Sequence, residues 1–396
     1  THLGLSLQSE GGSYSGEDAP EATNYWCWFQ DVQFSASASD YPASAKAVDD
    51  LIDKIGKVEL TNECKERIDA AREAYDSAIQ PVKDLVSKYE ILTAAEKTYQ
   101  DLLDTRVGEN IKTREIEGKT FYEISNADEL VWFSKLVNGL LGDGDLDSRV
   151  EDANAVLTDD IVFNEAVLDG EDNLLTAIGQ RTWYPIGGRQ WVDRSTLYTA
   201  YFTGIFDGQG HTISGLYQPD GQLWETGGRS IGYAGLFGAV SGSVRNVKVT
   251  DSYIAVSTAT AGGVVGYVRA GGTVENVSFD GYVCGSATVG GVVGQNAGNP
   301  LVNVHASGKI EAENGGISQT GGVAGSSSAD IKCSSFTGTI SGKTSNVGGI
   351  VGATSKNMTI ESCYVIGSVI NAREEKDPGD IYASGIVGKN VSGTTV

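Results

Sequence analysis

The sequence predicts a mainly β protein, a right-handed parallel β-helix over its C-terminal half, preceded by a small α-helical bundle and a short β segment. Three observations carry that reading. A Gly-x-x-Gly signature recurs at residues 235–238, 263–266, 291–294, 322–325, 349–352 and 385–388, its first glycines 28, 28, 31, 27 and 36 residues apart. Between signatures run apolar columns: Val244, Val274, Leu301, Ile331 and Ile360; Val247, Val277, Val304, Ser334 and Cys363; Val249, Phe279, Ala306, Phe336 and Val365. Finally, 52 glycines against 7 prolines suit a chain of tight β-turns rather than disorder or collagen.

Residues 1–41 read as two strands, 2–8 and 25–37, around a polar loop. The second contains Tyr25-Trp-Cys-Trp-Phe-Gln-Asp-Val-Gln-Phe34, which alternates and is aromatic. It resembles the closing strand of a jelly-roll domain of the carbohydrate-binding kind, and two strands are too few for such a domain, so either these are the terminal strands of a truncated one or they pack on a neighbouring element. Trp26 and Trp28 are then either sugar-stacking platforms or packing residues, with packing the favoured reading.

Residues 42–110 have the period of a three-helix bundle. The first helix faces inward with Val48, Leu51, Ile52 and Ile55, and Gly56 stops it. The second uses Cys64, Ile68, Ala71, Tyr75 and Ile79. After Pro81 a third, over 82–103, uses Leu85, Val86, Tyr89, Leu92, Ala95 and Leu102. The stretches Ala70-Ala-Arg-Glu-Ala-Tyr-Asp76 and Ala94-Ala-Glu-Lys-Thr-Tyr99 resemble the three-helix modules of Gram-positive surface proteins, which implies a spacer or docking role.

Residues 111–230 form the cap and lead-in. Asn126-Ala-Asp-Glu129 can cap and start a helix through Val137, with Leu130, Phe133 and Val137 inward and Gly139 ending it. A parallel β-helix needs its first coil covered, because an open edge invites pairing with another chain. This helix is the candidate cover.

Residues 231–396 are the solenoid. The first two apolar columns lie three residues apart, so the chain must bend near the column Asn246, Asn276, Asn303, Cys333 and Ser362, whose amides can bond along the axis. After a column of Asp251, Gly281, Gly308, Gly338 and Gly367, the last inward column is Tyr253, Val283, Ile310, Ile340 and Val369. The repeats resemble the GLUG motif of large bacterial surface and secreted proteins, with Gly348-Gly-Ile-Val-Gly352 and Ser362-Cys-Tyr-Val-Ile-Gly-Ser-Val369 as the nearest copy. That resemblance implies a scaffold and says little of chemistry.

The net charge of −23 is unevenly placed: from Ile231 on there are 11 acidic and 10 basic residues of the 52 and 29 in all. An acidic N-terminal part and a neutral solenoid argue against nucleic-acid partners and anionic membranes. No apolar run is long enough to span a bilayer. Five cysteines at irregular spacing make neither a disulfide framework nor a metal site, and buried thiols are expected. Cys27 and Cys64 could pair only if the first segment packs on the helices. The ends at Thr1 and Val396 suggest a piece of something longer.

Chemistry-bearing groups are sparse. Asp207 and His211 sit four apart and invite an acid/base reading, but the glycines between them favour a tight turn in which Asp207 accepts backbone N–H bonds. Asp143, Asp145 and Asp147 have the spacing of a calcium loop, yet Ser148 and Asn154 stand where such a loop needs Gly and Glu. A solvated acidic loop is the favoured reading; calcium is the one cofactor considered. In the lead-in, Trp183, Trp191 and Trp224 are the aromatic binding candidates, weighed against core packing.

Three function classes follow. The favoured one is a non-catalytic stalk or adhesin-like binding module of a large extracellular bacterial surface protein, meeting host glycans, matrix or cell-surface proteins, or its own neighbouring domains. The others are an accessory region of a secreted peptidase or glycan-degrading enzyme, and a β-helix enzyme in its own right.

Overall fold

The structure, a computed structural model, describes residues 40–142, 146–191, 197–219, 232–256, 260–286, 288–313, 319–343, 346–355, 357–371, 382–390 and 394–396. The expected strands at 2–8 and 25–37 lie outside them.

Each repeat lays down one rung in each of three parallel ladders. The residues just before each signature form a six-stranded sheet from Tyr233–Ala234 to Tyr382–Ser384. Those just after it form a second, from Phe237–Val240 to Val387–Lys389. The apolar columns run through the third and largest sheet. There like stacks on like: Leu301 pairs with Ile331 and that with Ile360, while Phe279, Ala306, Phe336 and Val365 follow one another in register. Val277, Phe279, Val283, Val304, Ile310, Phe336 and Ile340 are buried as expected, and Val365 is partly so.

The bend expected at the asparagine column is real. Asn246, Asn276, Asn303, Cys333 and Ser362 all hold left-handed backbone, with φ of 55°, 53°, 55°, 51° and 55°. Asparagine tolerates that conformation better than most residues because its short polar chain bonds locally. Its amides also form a ladder: Asn303 donates to Asn276 at 2.9 Å and Asn276 to Asn246 at 3.2 Å. The first glycine of two of the signatures has a different reason. A Cβ on Gly263 would lie 2.1 Å from the Phe279 ring, and one on Gly322 2.4 Å from that of Phe336. These glycines leave the narrow interior to the aromatic side chain opposite.

One column is corrected. The register slips by a residue between Val249 and Ser252, with Asp251 at φ 47°. This bulge makes Ile254 the core residue and turns Tyr253 outward to pair with Tyr282. Cys333 is likewise exposed rather than buried, because it sits on the corner column; Cys64 and Cys284 are buried.

The solenoid's first coil is covered by a hairpin and a helix. β1 (Thr113–Ile116) pairs antiparallel with β2 (Lys119–Ile124), and β2 pairs parallel with β3 (Asn154–Leu157). The crossover from β2 to β3 carries the helix Ala127–Asn138, capped at Asn126 and closed by left-handed Gly139. Leu130, Phe133 and Val137 are fully buried, and the Phe133 ring lies 6.2 Å from Phe202 and 6.3 Å from Phe206.

Upstream, the bundle comprises α1 (Tyr41–Ile55), α2 (Asn62–Asp76), a single turn α3 (Gln80–Lys83) and α4 (Tyr89–Asn110). The expected helix over 82–103 is thus broken at 84–88 and shifted toward the C-terminus. Asp49 holds the break by accepting from the backbone N–H of Ser87 and Lys88. Leu85, Tyr89 and Leu102 consequently face solvent, with Ile79, instead of the core. α4 ends against the cap helix, where Lys135 meets Asp104 at 2.8 Å and Gly108 lies under Trp132.

Candidate functional site

The bulge at Asp251 creates the most elaborate surface feature of the described residues. It lines Tyr217, Tyr253 and Tyr282 along the axis on the outer face of the largest sheet. Their rings stack, 5.9 Å apart at 29° and then 4.9 Å apart at 11°. Residues 164–181, an excursion of the lead-in, fold over this column. The excursion's base is tied by Asn164, which donates to Arg181 O and Gly215 O and accepts from Arg181 N. Its middle is pinned by Asp251, whose two carboxylate oxygens accept from Val167 N at 3.1 Å and Leu168 N at 3.0 Å. Val167, Leu168 and Leu174 then complete a small core with the tyrosines, Ala255 and Cys284.

A polar fringe adjoins the column. Tyr282 donates to Glu311 at 2.6 Å, Lys309 pairs with Glu311 at 3.1 Å, and the Lys309 ammonium lies 5.5 Å from the Tyr282 ring centre. Burial, reinforced by the bond to Glu311, pushes the Tyr282 phenol well above its ordinary range. It is therefore a fixed donor rather than a base. Asp280 accepts from Ser307 nearby. The arrangement offers hydrogen bonds, one ammonium and the rims of aromatic rings.

The residues singled out from sequence are scattered. Trp183 is 1 % exposed and donates its ring N–H to Gly235 O, so it is a core residue. Trp191 lies opposite Leu197 in a two-stranded hairpin. Trp26, Trp28, Trp224, Asp143 and Asp145 lie outside the described residues. Asp147 is exposed in a short turn, Leu146–Ser148, beside a shallow depression it shares with Arg149, Glu151, Asp152 and Thr203. Among the described residues no group of three or more His, Cys, Asp or Glu is placed to hold a metal ion.

Asp207 and His211 have separate partners. Asp207 accepts from Gln209 N, from Asn246 at 2.9 Å and from Arg245 at 3.0 Å, so it heads the asparagine ladder. Burial pushes its carboxyl up, but these donors prevail and hold it below the usual carboxylate range. His211 instead faces Asp160 across 3.2 Å. The turn expected of Asp207 is present. The tyrosine column escaped sequence reading because the bulge hid its register; the tyrosines at 217, 253 and 282 were the only signal.

Comparison with known proteins adds one likeness. The chain is 31% identical over 120 residues to Halomucin of Haloquadratum walsbyi, a match that takes in 30% of this chain and 1% of that protein. The chain thus spans only a small part of that relative. No family model and no solved structure matches. Among the described residues no helix is long and apolar enough to cross a membrane.

Proposed function

We propose that this chain is a non-catalytic segment of a large extracellular surface protein, a stiff stalk that also presents an adhesin-like binding face. The observation that carries the reading is the stacking of repeats in register, one parallel rung per signature in each ladder. Each rung adds about 4.8 Å of reach and stability grows with neighbouring repeats, which suits a spacer. The likeness to a stretch of Halomucin, of which the match is 1%, supports a place within a much longer chain. Host glycans or matrix proteins are the partners such a neutral, hydroxyl-rich solenoid suits, held by hydrogen bonds and aromatic contacts.

The test pairs fractionation of the parent protein with binding of the isolated chain to a panel of host glycans and matrix proteins. A surface-located parent and saturable binding are expected. A cytoplasmic parent would overturn the reading, and a surface parent without binding would reduce it to the spacer role. Turnover of a polysaccharide or protein by the purified chain would overturn the non-catalytic part.

A further inference from the structure

Three Asn-x-Ser/Thr triplets occur in the chain, none with proline in the middle: Asn276-Val-Ser278, Asn357-Met-Thr359 and Asn390-Val-Ser392. This triplet is the acceptor pattern for N-linked glycans on exported proteins. It also arises often by chance, and here the fold separates the three. Asn276 sits in the middle of the asparagine ladder. Its amide donates to Asn246 at 3.2 Å and accepts from Asn303 at 2.9 Å, so presenting it to another protein would open the stack. Asn390 accepts from Thr354 at 3.4 Å, and Ser392 lies outside the described residues.

Asn357 has a different setting. It occupies the corner between the strands Val351–Thr354 and Ile360–Glu361, is exposed, and holds left-handed backbone with φ 57°, which asparagine accepts. Neither its amide nor the Thr359 hydroxyl has a hydrogen-bond partner among the described residues. Met358 between them is 2 % exposed and anchors the corner. The following rung is already in place here: Thr394 donates to Ser355 O at 2.9 Å, and Thr395 N donates to Met358 O at 2.9 Å. Asn357 is therefore exposed beside a paired rung. A group joined to its amide would displace none of the hydrogen bonds that hold the corner.

We propose that Asn357 is an attachment site for an N-linked oligosaccharide. The donor class is an oligosaccharide joined through phosphate to a membrane lipid, and the catalyst is a membrane-bound transferase. Asn357 Nδ2 forms a bond to the anomeric carbon as the bond from that carbon to the phosphate oxygen breaks. The electron pair leaves with the lipid phosphate, and one amide proton passes to a base of the transferase. The Thr359 hydroxyl completes the acceptor pattern. The inference rests on the surface-protein reading, because such donors meet chains that are being exported. A glycan here would add a bulky, solubilising group to one corner of the stalk.

Cleavage after lysine and arginine places Asn357 in the peptide 357–373 and Asn276 in the peptide 270–309, with no second triplet in either. In mass spectrometry of the parent protein from its own cells, 357–373 should carry glycan mass and 270–309 should be bare. Thr359→Ala should remove that mass and Thr359→Ser should keep it. Asn357→Gln should remove it with the circular dichroism spectrum unchanged. A bare 357–373 from a surface-located parent would overturn the inference and leave the surface reading standing. A bare peptide from a cytoplasmic parent would overturn both. Glycan mass on 270–309 in its place, or mass on 357–373 that survives Thr359→Ala, would also overturn it.

Discussion

At the scale of single residues the solenoid rests on complementary pairs across a narrow interior. Phe336 fills the space that Gly322 leaves, and Phe279 does so for Gly263. Phe336→Ala should cost about 3–5 kcal/mol, the usual range for a buried phenylalanine. Gly322→Ala should also destabilise, since its Cβ would lie 2.2 Å from Gly349 O and 2.4 Å from the ring; combining it with Phe336→Ala should relieve only the ring's share, because the Gly349 carbonyl stays in place. Denaturant unfolding of the four chains gives the coupling directly, and strict additivity would show that the two sites do not share that space. Asp207 makes a prediction of opposite character. Its depressed carboxyl contributes stability above the ordinary carboxylate range that is lost as pH falls through the folded value. Asp207→Asn should therefore lower the melting temperature at neutral pH and flatten its fall in acid. A melting profile parallel to the wild type would contradict this.

Among elements, the joint between bundle and solenoid has a specific chemistry. Lys135 and Asp104 pair with side chains only 14 % and 9 % exposed, beside Trp132 packed on Gly108. Removing one partner strands a mostly buried charge, at about 3–5 kcal/mol. Lys135→Ala should consequently separate the melting of the bundle from that of the solenoid in calorimetry, whereas Lys46→Ala, at an exposed pair, should change little. A single unshifted transition in Lys135→Ala would show that the joint does not depend on the pair. The elements also mark what sequence could reveal. The cap helix, expected through Val137 and ending at Asn138, was legible to within a residue because Asn126, Glu129 and Gly139 are local signals. So were the inward columns, because a parallel stack repeats one environment at each rung. The break before Tyr89 was not, since it depends on Asp49, nearly forty positions upstream. Nor was the slip at Asp251: both Tyr253 and Ile254 are apolar, and only the tertiary register decides between them.

For the whole molecule, the decisive asymmetry lies in how the stack begins. Strand edges along the solenoid are paired rung to rung, and the first coil's core is closed by the hairpin β1–β2 and the helix Ala127–Asn138. Phe133 is the centre of that closure, fully buried against Phe202 and Phe206. A carboxylate there would have no partner in reach, and burying one is far costlier than releasing the helix. Phe133→Asp should therefore lift the cap while leaving later coils paired. The freed coil would present Phe202, Phe206 and the edge of β3, the sort of surface that recruits another chain. Sedimentation velocity should show the wild type as a single concentration-independent species and Phe133→Asp as growing oligomers, with circular dichroism still reporting β-structure. If the variant instead lost its β signal entirely, the cap would be part of the folding nucleus rather than a cover. If it sedimented like the wild type, the first coil would need no cover at all.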